Sequence, residues 1–142
     1  MFKDILLPID LGDVESSRKA VSTALDLSRS DGSRLHLMCV VPGYSMSIVS
    51  QYFPKGFEEK SLTEAAKQLN DFIANNIPSE IESQAIVTNG TVYEEILQTA
   101  GKVGCDLIVM ASHRPELKDY LLGPNAARVV RHASCSVLVV RG

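Results

Sequence analysis

The stretch Leu107 to Arg141 reads LIVMASHRPELKDYLLGPNAARVVRHASCSVLVVR. Its first apolar run, Leu107 to Ala111, stops at the polar cluster Ser112-His113-Arg114-Pro115. Gly123-Pro124-Asn125 then opens a helical pattern, and a second apolar run, Ser136 to Val140, follows it. A strand, a loop, a helix start and another strand make half of a nucleotide site. The first N–H groups of a helix have no intrahelical partner and lie at the positive end of its dipole, so they attract anions. In open α/β sheets ligands lie against the loops that leave the carboxyl ends of the strands.

Working outward from this stretch, apolar runs and amphipathic segments alternate along the whole chain. Ile5 to Ile9 reads as a strand. A helix is expected from Asp13 to about Ser30, with Ala20, Ala24 and Leu27 on one stripe and Asp31-Gly32 as its stop. Leu35 to Val41 is the second strand, ended by Pro42-Gly43. Ser61 to about Asn75 is helical, and Ile81 to Val87 is the third strand. Thr91 to Glu94 has the spacing of a capping box and opens a helix to about Lys102, ended by Gly104. Leu107 to Ala111, a helix from Gly123 to His132, and Ser136 to Val140 complete the pattern. Strands separated by helices imply parallel pairing through right-handed crossovers. Continuous apolar runs imply strands covered on both faces. The expected fold is one α/β domain over residues 1–142, a three-layer sandwich around a five-stranded sheet. The segment Tyr44 to Glu59 is long and apolar for a connection. It reads either as a lid or interface, or as an irregular segment folded onto its own core.

A chain of 142 residues is long enough to bury a core without disulfides or metals. Its net charge of −3 and lack of a basic face argue against nucleic acid as a partner. No apolar run approaches the roughly eighteen residues of a membrane span. The chain opens on a strand rather than a secretory leader, and Cys39, Cys105 and Cys135 are odd in number and widely spaced. A cytoplasmic protein with cysteines serving as small buried hydrophobes is therefore expected.

At the C-terminal stretch the chain resembles the universal stress protein family. It is most similar to the nucleotide-binding F/G-type subgroup, with an Ala/Gly-Ser-His-X-Pro loop (here Ala111 to Pro115) followed by Leu-Leu-Gly-X-Asn-Ala (here Leu121 to Ala126). Ile5-Leu6-Leu7-Pro8-Ile9-Asp10 resembles the family's first strand with its Pro-X-Asp ending, and Val137 to Arg141 its last. The resemblance implies an adenine nucleotide alpha hydrolase-like fold, Rossmann-like, with strand order 3-2-1-4-5. It implies ATP or AMP as bound ligand, with magnesium accompanying ATP, and a stress-response role. It also implies a homodimer through Ser136 to Val140, with a tetramer as a further step.

The resemblance places the nucleotide against the ends of strands 1, 2 and 4: Pro8, Ile9 and Asp10; Val40 and Val41; and Met110, Ala111, Ser112, His113 and Arg114. It adds the helix start Gly123, Pro124, Asn125 and Ala126. Each has a second reading. Asp10, read from the resemblance as bonding the adenine or the adjacent backbone, is otherwise a turn acid or helix N-cap, and Met110 and Ala111 serve equally as ordinary core residues. The family's Gly-x-x-Gly, nine residues, Gly-Ser/Thr pattern is reduced here to Ala111-x-x-Arg114, eight residues, Gly123-Pro124-Asn125. Arg114 replaces a glycine able to take positive φ, but a guanidinium is a good phosphate ligand. Pro124 lacks both an N–H and a hydroxyl, although it favours the first helical position.

No catalytic residue and no metal site is expected. His113 and His132 have no Cys or carboxylate at ligand spacing, and there is no Walker loop or G-x-S-x-G. Three functions compete: a nucleotide-binding regulator that is not an enzyme; a dimeric stress protein that has lost nucleotide binding and acts through protein contacts; and a slow ATPase or phosphotransferase.

Overall fold

Five parallel strands lie in the order β3-β2-β1-β4-β5. The computed structural model describes residues 1–42, 57–112 and 124–141. The chain runs β1 (Asp4–Pro8), α1 (Val14–Asp31), β2 (Arg34–Pro42), α2 (Phe57–Asn76), β3 (Ser83–Gly90), α3 (Val92–Val103), β4 (Leu107–Ser112), α4 (Pro124–His132) and β5 (Ser136–Arg141). Because β1→β2→β3 steps one way and β3→β4→β5 the other, right-handed crossovers put α1 and α2 on one face and α3 and α4 on the other.

The two cores follow from strand alternation. Ile5, Leu7, Leu35, Leu37, Leu107 and Val109 meet Ala20, Val21 and Ala24 of α1 and Ala65 and Leu69 of α2. Leu6, Met38, Ile108 and Met110 meet Ile96 of α3 and Ala126 and Val129 of α4. The small residues of α1 let it lie close to the sheet. On the other face, the Arg128 guanidinium of α4 sits 4.8 Å from the centre of the Tyr93 ring of α3, a cation–π contact.

The helix ends follow the sequence signals with one exception. Gly32 and Gly104 take left-handed conformations and close α1 and α3, each donating its N–H to a carbonyl four residues back. Thr91 is the N-cap of α3, but its side chain makes no capping bond, so the expected capping box with Glu94 is not formed. The Glu95 N–H bonds the Thr91 carbonyl instead. Just before it, Gly90 ends β3 at φ 142°, and a Cβ there would stand 2.9 Å from Glu95 Oε2.

Two boundaries differ from expectation by more than a residue or two. Helix α2 begins at Phe57 rather than Ser61. Strand β3 runs Ser83–Gly90 rather than Ile81 to Val87. Ile81 is buried, but as the plug of a turn in which its N–H bonds the Pro78 carbonyl. Of the apolar segment Tyr44 to Glu59, residues 44–56 lie outside the described residues.

The amino ends of the strands are tied by side chains. The Asp106 carboxylate accepts the N–H groups of Lys3 (2.9 Å) and Asp4 (3.1 Å), and Asp31 accepts that of Phe2 (3.0 Å). Ser33 Oγ donates to the Phe2 carbonyl, and Ser28 Oγ to the Ser33 carbonyl. Asp4 receives Arg34 and His36 Nε2, while His36 Nδ1 meets Gln84 Oε1 at 2.9 Å. The His36 bond, followed by Arg34, holds the Asp4 carboxyl below the usual carboxylate range.

Candidate functional site

At the carboxyl end of the sheet, strands β1 and β4 separate. Register partners between β1 and β2 run from Asp4↔Arg34 to Pro8↔Met38, whereas those between β1 and β4 are Ile5↔Leu107 and Leu6↔Ile108. The sequence supplies a reason. Ile9 donates its N–H to Met38 of β2, so odd residues of β1 face β2 and even residues face β4. The next donor toward β4 after Leu6 belongs to residue 8, and Pro8 has none. The β1–β4 ladder therefore loses its next rung at the topological switch point.

The opening is a cavity of about 1100 Å³. Pro8, Ile9, Asp10, Val40, Val41, Met110, Ala111, Ser112, Pro124, Asn125 and Ala126 all line it. Three further residues assigned from the sequence, His113, Arg114 and Gly123, lie outside the described residues. Four walls can be separated by chemistry. Met38, Val40, Ile96 and Met110 give an apolar floor with two polarisable methionines. The β1–α1 turn brings Asp10 and Gly12, and α1 brings Asp13, Ser16 and Ser17. Lys60, Ser61, Glu64 and Gln68 form a polar stripe on α2. The first turn of α4 closes the side beside β4.

Residues of α2 and α3 on these walls, Lys60, Ser61, Glu64, Gln68, Val92 and Ile96, were not assigned from the sequence. The signal in α2 was partial, marking an edge without saying what it turns toward. Positions 60, 61, 64 and 68 flank the buried Ala65 and Leu69 at helical spacing, which puts them at the edge of its buried face.

Several helix N-termini border this cavity, and those of α1 and α4 differ. In α1 the N-cap is Asp13, whose Oδ1 takes the Ser16 N–H, and Glu15 adds a second acid in the first turn. Asp10 is not the N-cap. Its Oδ1 accepts the Gly12 N–H at 2.9 Å, forming a local turn, and its side chain is exposed to the cavity. The first turn of α4 carries no acid, and it begins with Pro124, which leaves Asn125 and Ala126 to offer N–H groups. The anion-attracting end is therefore α4, while the α1 end carries its own negative charge. Among the described lining residues, Asp10, Asp13 and Glu64 oppose a single ammonium, Lys60. No group of three or more His, Cys, Asp or Glu among the described residues is placed to hold a metal ion. No described helix is long and apolar enough to cross a membrane.

A parallel sheet with order 3-2-1-4-5 and a large crevice at its switch point defines a Rossmann-like α/β protein. The chain belongs to the universal stress protein family, whose family model matches residues 1–141. It is 36% identical over 145 residues to Universal stress protein G of Escherichia coli O157:H7, covering 99% of this chain and 100% of that one. It is 30% identical over 162 residues to Universal stress protein MJ0577 of Methanocaldococcus jannaschii, covering 99% of this chain and 96% of that one. A solved structure of MJ0577 superposes with a TM-score of 0.81 at 26% identity, over 100% of this chain and 97% of that chain. Two more distant structures share the fold. One is a universal stress protein in complex with cAMP (TM-score 0.59, 21% identity, 99% and 97% covered). The other is the Archaeoglobus fulgidus protein in complex with dAMP (0.59, 16%, 96% of each).

Proposed function

We propose that the crevice binds an adenine nucleotide, ATP or AMP, and that the protein acts as a nucleotide-responsive regulator rather than an enzyme. The observation that carries this reading is the division of the crevice between an apolar floor with a carboxylate at one end and a helix start free of acids at the other. An adenine fits between Met38, Val40 and Met110, with its edge toward Asp10 and the end of β2. A phosphate fits at the Asn125 and Ala126 N–H groups, with the loop carrying His113, Arg114 and Gly123 beside it in sequence. The family membership and the cAMP and dAMP complexes of the two fold neighbours support the same ligand class. Calorimetric titration with ATP, ADP, AMP and adenosine tests it. Saturable binding is expected, and the absence of heat at millimolar nucleotide overturns it. Phosphate release from ATP, with and without magnesium, separates the regulator from a slow ATPase.

A second reading, a dimer that signals without nucleotide, is favoured by two observations. Pro124 removes one N–H from the α4 start, and the described lining is acidic on balance. Both readings use a homodimer in the cytoplasm, joined through β5. That strand is an edge of the sheet, and Leu138 on it is exposed. From Ser136 to Val140 it is apolar and rich in β-branched residues, without lysine or proline, and only Arg141 at its end is charged, so this run is a template for another copy of itself. Light scattering is expected to give a dimer mass, or a tetramer from two such dimers, and Val139→Pro is expected to give a monomer.

A further inference from the structure

Cys105 and Cys135 are 30 positions apart in sequence, yet their Sγ atoms stand 4.0 Å apart. Cys105 lies two residues before β4, and Cys135 immediately before β5. The pair therefore spans the amino ends of two neighbouring strands, one of them the edge of the sheet. Both thiols are free. Cys105 is buried in the core beneath α3 and α4, and Cys135 packs against that core from a half-buried position. The third cysteine, Cys39, belongs to the core on the other face of the sheet. Burial pushes the Cys39 thiol up to about 11 and raises Cys105 as well, so both rest as neutral thiols.

Sulfurs in van der Waals contact need to close by about 2 Å to reach a disulfide bond length, a distance that side-chain rotation with small backbone adjustment supplies. We propose that Cys105 and Cys135 form an oxidation site at which peroxide produces an intramolecular disulfide. The more exposed Cys135 reacts first. Its thiolate attacks one oxygen of hydrogen peroxide, the O–O bond breaks, and the leaving hydroxide takes up the thiol proton as water. This leaves Cys135 as a sulfenic acid. Cys105 then attacks that sulfur, its proton leaves with the sulfenic hydroxyl as a second water, and the S–S bond forms. Two thiols lose two electrons and two protons, and one peroxide becomes two waters. A thiol donor reverses the reaction by exchange.

The position gives the bond a consequence. The loop it closes, from Cys105 to Cys135, contains β4, all of α4 and the cavity residues Met110, Ala111, Ser112, Pro124, Asn125 and Ala126. Oxidation staples the base of the unit that carries one wall of the crevice. The inference does not depend on what the crevice binds.

The test treats the purified full chain with one equivalent of hydrogen peroxide. The intact mass is expected to fall by about 2 Da, for two hydrogens lost. A non-reducing peptide map should join the Cys105 and Cys135 peptides, Cys39 should remain open to alkylation, and dithiothreitol should restore the starting mass. The oxidised wild type should melt about 5–10 °C higher, because a loop of this length is held closed in the unfolded chain. Cys135→Ser should show neither change. Cys105→Ser should stop at a gain of about 16 Da, one oxygen. A wild-type protein that only gains oxygen, stays unreacted at millimolar peroxide, or crosslinks between molecules or through Cys39 overturns the proposal.

Discussion

The two ends of the same five strands are built in opposite ways. At the amino end, side chains are committed to backbone and to each other. Asp106, Asp31, Ser28 and Ser33 bind main-chain groups, and Asp4 gathers Arg34 and His36. At the carboxyl end, Asp10 satisfies a local turn and still faces a large cavity, and β1 and β4 part where Pro8 withholds a donor. Polar residues at the first end tie neighbouring strands together. At the second they line an open cavity. Stability and the proposed recognition thus belong to different ends of one sheet, and substitutions should separate them.

The largest effect is expected from Asp106→Ala. It removes the acceptor for two N–H groups and should lower unfolding free energy by about 2–3 kcal/mol in denaturant titration. Nucleotide affinity of the folded fraction should stay within about twofold. Asp10→Ala is the reverse test. Affinity should fall about tenfold, roughly 1.4 kcal/mol, while stability changes by less than about 0.5 kcal/mol. If each variant moves both quantities, the two ends are coupled and the comparison fails.

Acid sharpens the contrast at a smaller scale. The folded Asp4 carboxyl lies below its unfolded value near 3.8, so its contribution is present in full above that pH and is lost as pH falls through the lower folded value. Stability of the wild type should therefore decline below about pH 4 more steeply than that of Asp4→Asn in parallel denaturant titrations. The smallest effect concerns the helix start. Pro124→Ser restores an N–H and a hydroxyl at the first position of α4 and should tighten ATP severalfold, about 1 kcal/mol, with adenosine unchanged. Equal affinities for ATP in both proteins place the phosphate elsewhere.

These outcomes also bear on what the sequence could disclose. The central strands were legible because both faces are buried, which makes Ile5 to Leu7 and Leu107 to Met110 continuous apolar runs and Leu35 to Cys39 a run broken only by His36. Strand β3 was misplaced because it is an edge, pairs only with β2, and includes Ser83, Gln84, Thr88 and Asn89. The neighbouring Ile81 is buried without being in a strand. Residues that belong to strand ends and the α4 start could be assigned in one dimension, since a motif carries them. Lys60, Glu64 and Gln68 could not, because nothing local distinguishes a solvent-facing helix edge from one turned toward a cavity two strands away. Asp10 and Asp13 divided their tasks in a way that spacing did not decide: both are acids near a helix start, and only the backbone path makes Asp13 the cap.

Gly90 carries a last consequence. Its backbone lies in the region that side chains rarely adopt, and an added Cβ would also press on the Glu95 carboxylate. The two penalties are separate, so shortening Glu95 relieves the steric one and leaves the torsional one intact. In a saturation library, position 90 should therefore stand as an empty column that no single second-site change refills, whereas Thr91 beside it, with a side chain that makes no capping bond, should accept broad replacement. Sequence drift in this part of the chain is then expected to pass around one fixed point, with the approach of α3 to the crevice inherited unchanged.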